Sequence, residues 1–107
     1  MEYDTHNTYE RLRLAVESLA TGRGNLQDRL YYAFLHISVF RVEDFPERLR
    51  ADFTEICEGM TKVKGDEGSI KATCEVMDDD EAEKIAQQIL DLFTTIARSY
   101  CETIPPD

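Results

Sequence analysis

The stretch Leu30–Phe40, LYYAFLHISVF, carries apolar side chains almost all the way round a helix. A helix with no continuous polar face has to be covered by other helices or by a second subunit. Residues from about Leu26 to Phe40 are therefore expected to form the buried central element of an all-α bundle. Leu26, Leu30, Ala33, Phe34 and Ile37 make its main stripe, and Tyr31, Tyr32, Leu35 and Val39 make the opposite side apolar too. Asn25 suits the N-cap, and Asp28 completes a capping-box start.

The flanking sequence supplies the covering helices. Tyr9, Leu12, Val16 and Leu19 recur at helical spacing and predict a first helix over about residues 6–21, stopped by Gly22. Phe45, Leu49, Phe53, Ile56, Met60 and Val63 follow a 4-4-3-4-3 spacing and predict a third helix. Pro46 opens it, and it ends near Thr61–Lys64. After the polar loop 64–69, residues 69–77 are ambiguous between a short helix and an extended segment. A lone strand would have no pairing partner, which favours the helix. Asp78 with Glu81, and Asp80 with Glu83, are overlapping capping signatures for a last helix. That helix carries Ala82, Ile85, Ala86, Ile89, Phe93, Ile96, Ala97 and Tyr100 to about Cys101, and Ile104–Asp107 reads as a frayed tail. The expectation is a compact bundle of four main helices, with a short fifth near residues 69–77.

A chain of 107 residues with 42% hydrophobic content is one globular domain, taken here as 1–107. Its net charge of −10 weighs against DNA and against anionic membrane surfaces, and favours a basic partner. The charge is uneven: residues 64–84 hold eight acids against three bases. Residues 1–63 hold eleven acids and eight bases, nearly all of the bases Arg. Cys57, Cys74 and Cys101 are odd in number and lack Cys-x-x-Cys spacing, as reduced cytoplasmic thiols would be. The start, Met1-Glu2-Tyr3-Asp4, is polar and acidic rather than a secretory leader, and no apolar run reaches membrane-spanning length.

Candidate chemistry is sparse. Arg29 and His36 stand seven residues apart, nearly two full turns, and so share one helix face. An Arg can hold phosphate while a His works as acid or base near neutral pH. This spacing is similar to the Arg-x(4–6)-His pattern of HEPN domains, over this one helix. The resemblance implies a small, often dimeric helical bundle and a metal-independent ribonuclease, with Arg29 orienting phosphate and His36 in acid–base work. The residue after Arg29 is Leu30, where active members of that family often carry a polar one.

Thr21-Gly22-Arg23-Gly24-Asn25 offers a glycine-containing turn before a helix N-terminus, a weak anion site centred on Arg23 and Asn25. A C-cap and a tight connection explain the same glycines more simply. The run Asp78-Asp79-Asp80-Glu81, with Asp66 and Glu67 upstream, lacks EF-hand spacing and is explained by capping. His6 and His36 have no sequence reason to converge on a metal. No metal or cofactor is therefore expected.

The remaining feature is the aromatic surface of the second helix, Tyr31, Tyr32, Phe34 and Phe40. If the other helices cover only one side of it, the open side is an interface, formed by Tyr31, Tyr32, Leu35 and Val39. The leading expectation is a non-enzymatic interaction or accessory protein that binds a protein partner or a second copy of itself. The alternative is the HEPN-like ribonuclease, the one reading in which RNA is a partner.

Overall fold

The computed structural model describes residues 5–103. They form five α-helices: α1 Thr5–Thr21, α2 Leu26–Ile37, α3 Glu47–Met60, α4 Ser69–Val76 and α5 Asp79–Thr103. A 3-10 turn, Val42–Asp44, links α2 to α3, and the described residues contain no strand. The Ile104–Asp107 tail and the first four residues lie outside the described region.

α5 organises the bundle. Its 25 residues correspond to a helix about 37 Å long at 1.5 Å per residue, within a molecule 46 Å in its longest dimension. Ala82, Ile85, Ile89, Leu92 and Ile96 recur at alternating steps of three and four, and all are buried. α1, α2 and α3 pack against this stripe. α1 and α2 form a second close pair through Leu12, Ala15, Leu30, Ala33, Phe34 and Ile37. Phe45, Leu49, Phe53, Ile56 and Met60 complete the core from the α3 side.

Helix ends follow local chemistry. The Asn25 side chain accepts from the Asp28 N–H at 2.8 Å, and Asp28 accepts from the Asn25 N–H at 3.3 Å, the reciprocal box expected. Gly24 sits at φ +94°, which only glycine adopts without strain, and so lets the chain reverse between α1 and α2. Asp78 accepts from the Glu81 N–H at 2.8 Å and caps α5. Pro46 stands immediately before α3, where its missing N–H costs no hydrogen bond. α3 ends at Met60, so Val63 lies in the following loop rather than on the helix stripe.

Two expectations for the second helix need correction. It ends at Ile37, not Phe40. Ser38 N–H closes the last α-type bond to Phe34, and Phe40 N–H folds back onto Ile37 in a tighter turn. This turn lays the Phe40 ring edge-on to Phe45, 5.6 Å away. Nor is α2 covered on all sides. Leu30, Ala33, Phe34 and Ile37 are buried, but Tyr32 is 59% exposed, Leu35 40% and Val39 61%. α1 and α5 cover one face, and the short α4 reaches its N-terminal half.

Candidate functional site

The outer face of α2 is the most distinctive open surface of the molecule. Asp28, Tyr32, Leu35 and Val39 follow one another at steps of four, three and four, and all four are exposed. Val39 lies two residues past the helix end at Ile37; within α2 that spacing keeps Asp28, Tyr32 and Leu35 on one stripe, the seam along which two helices pair. Tyr31 beside it is half-buried, with its ring edge-on to Tyr32 at 5.2 Å. Val42, just beyond the helix, is also exposed.

The N-terminal end of the stripe opens into a groove of about 760 Å³ between α2 and α4. Arg23, Asp28, Tyr31, Tyr32, Lys71 and Glu75 are among its walls. Thr73 anchors α4 there: its hydroxyl accepts from the Val63 N–H at 2.9 Å and donates to the Val63 carbonyl at 3.4 Å. Gln27 ties α2 to the α4–α5 junction by donating to the Met77 carbonyl at 3.0 Å and to Asp79 at 2.9 Å. Lys71 pairs with Glu67 at 2.6 Å, which raises the lysine pKa and lowers that of the carboxylate. Cys74, buried in the groove wall, has its thiol pushed up to about 11 by burial and by the nearby Asp28 charge.

Arg23 and Asn25 therefore line a concavity. Asn25 is committed to its capping box, and the same groove holds two carboxylates. Arg29 and His36 have separate local roles. The Arg29 guanidinium donates to the Leu19 carbonyl at 2.7 Å, closing the C-terminal turn of α1, and to the Asn25 carbonyl at 3.4 Å. His36 is half-buried, and its backbone carbonyl accepts from Arg11 at 2.9 Å. His6 bonds the Tyr100 hydroxyl at 3.0 Å, where the start of α1 meets the end of α5.

Among the described residues, no three His, Cys, Asp or Glu side chains converge as a metal site. The acidic run is used structurally: Asp78 caps α5, Asp79 holds Gln27, and Glu81 pairs with Lys62 at 3.2 Å.

Sequence reasoning did not single out Lys71, Glu75 or Met77 as neighbours of Tyr31 and Tyr32. Nothing in local periodicity could have done so, because α4 meets α2 only in the tertiary fold. It also missed a second, apolar groove of about 530 Å³ along α1 and α5, floored by Val16, Leu19, Leu26, Ala86 and Leu90. The apolar width of both helices, beyond a single stripe, was the available signal.

No family model matches the chain, and neither the curated proteins nor the solved structures provide a match. Among the described residues, no helix is long and apolar enough to cross a membrane.

Proposed function

We propose that this protein is a non-enzymatic helical interaction module that self-associates through the outer face of α2. One observation carries the reading: three large apolar side chains, Tyr32 and Leu35 on the outer face of α2 and Val39 just past its end, stand open to solvent. Covering such a surface releases water from apolar groups, and tyrosine adds contact area with a polar tip. The net charge of −10 supports a protein partner over DNA. Three unpaired cysteines fit a reducing, cytoplasmic setting. The HEPN-like ribonuclease draws less support, because backbone carbonyls already engage the Arg29 guanidinium.

The test is mass in solution by light scattering across a concentration series. The wild-type chain is expected as a dimer. Leu35→Glu places a charge in the middle of this surface and is expected to give a monomer with unchanged helical circular dichroism. A wild-type chain that is monomeric at every concentration would overturn the reading.

A further inference from the structure

We propose that the groove between α2 and α4 binds a basic peptide segment of a partner protein, holding one arginine side chain by Asp28, Glu75 and the tyrosine pair. The site does not depend on pairing through α2, whose stripe lines the groove at Asp28 and Tyr32 but not at Leu35.

Three observations converge on a guanidinium. The first is charge. The ionised side chains lining the groove are Arg23, Asp28, Lys71 and Glu75. Lys71 is already neutralised by Glu67 at 2.6 Å, which leaves two carboxylates against Arg23. They belong to a chain of net charge −10, whose field draws cations towards it. The second is aromatic. Tyr31 and Tyr32 meet edge-on at 5.2 Å, and Tyr32 is largely exposed, so ring surface is open to a cation. The third is an unmet acceptor. Gln27, also in the groove wall, donates from its amide nitrogen to the Met77 carbonyl at 3.0 Å and to Asp79 at 2.9 Å. Those two bonds fix the amide and leave its Oε1 buried with no hydrogen-bond partner. Buried acceptors are normally bonded, so a wall that holds an unmet one favours a ligand rich in N–H donors.

Arginine suits this set better than lysine. A guanidinium is planar, stacks on tyrosine and carries several donors in a rigid fork, whereas an ammonium is a compact point charge. Asp28 commits one carboxylate oxygen to the Asn25 N–H at 3.3 Å and has a second for the fork. The groove, at about 760 Å³, also has the size of a site for a many-atom ligand. One side chain does not fill it, so the residues flanking the arginine lie in it too, and the occupant is a peptide.

The experiment is an NMR titration of the isotope-labelled chain with an acetylated, amidated pentapeptide, one arginine flanked by alanines. Saturable shifts are expected at the Gln27 side-chain amide and at the backbone amides of Tyr31 and Glu75. The citrulline version, neutral and of the same shape, is expected to bind about tenfold more weakly. Glu75→Gln should weaken the arginine peptide about fivefold, as loss of an exposed charge pair does. Arg23→Ala removes a like charge and should tighten it about twofold. Glu75 and Arg23 are both exposed, and circular dichroism checks the fold of each variant.

No shifts at millimolar peptide would overturn the site. Equal binding of the arginine, lysine and citrulline peptides would overturn the guanidinium assignment, as would wild-type affinity in Glu75→Gln. Weaker binding by Arg23→Ala would also overturn it, since the groove would then be holding an anion.

Discussion

Replacing Thr73 with valine tests what holds α4, and with it one wall of the groove, against the rest of the molecule. Thr73 is 4% exposed, and its hydroxyl is the clasp on Val63 across the α3–α4 loop. Valine keeps the shape and removes the oxygen. The Val63 N–H then loses its acceptor in a part-buried position, a change that costs about 1–3 kcal/mol. The added methyl returns up to about 0.8 kcal/mol by apolar burial. The net loss is about 1–2 kcal/mol, or about 4–8 °C in melting temperature for a domain this size. Urea unfolding should show a lower midpoint with an unchanged slope, since the surface exposed on unfolding is the same. Amide hydrogen exchange provides a local readout, because Val63 should lose protection before the core does. A Thr73→Val protein with the wild-type midpoint and a still-protected Val63 amide would refute the clasp. Thr73 would then act by packing alone.

Two further outcomes follow from named contacts. Arg29→Ala removes the donor that closes the end of α1 at Leu19 and is expected to cost about 1–2 kcal/mol of stability; a thermal melt equal to wild type would refute that role. Cys74 gives a pH dependence whose sign is fixed: burial raises its folded pKa from 9.0 to about 11. Its contribution is therefore complete below about pH 9 and is lost as pH rises towards 11. Urea midpoints should fall more steeply over that range for wild type than for Cys74→Ser, and equal slopes would count against a buried protonated thiol.

Much of the secondary structure was written locally. The Asn25–Asp28 box, the Asp78 cap and the buried stripes of α3 and α5 depend on residues three or four apart, within reach of periodicity and capping rules. The short helix at Ser69–Val76 was legible by elimination, since a single strand has nothing to pair with. The end of α2 was not. Val39 and Phe40 continue an apolar pattern, but Phe40 lies past the helix end and meets Phe45 from across the 3-10 turn.

The candidate surface divides along the same line. Tyr31, Tyr32, Leu35 and Val39 stood out as more apolar surface than one helix face needs. Composition cannot say whether neighbouring helices cover that surface, because covering depends on where they dock. The groove residues Lys71, Glu75 and Met77 lie more than thirty residues beyond Tyr32 in the chain and reach it only through the packing of α4 on α2.

The sequence by itself determined an all-α chain, its capping sites and the faces each helix can bury, because hydrogen bonding and amphipathicity act within one or two turns. The tertiary structure decided which side of α2 stays open, that Arg29 closes α1, and that α4 builds a groove beside Tyr32. Those outcomes depend on where whole helices dock against one another, and spacing within a single helix carries no record of that.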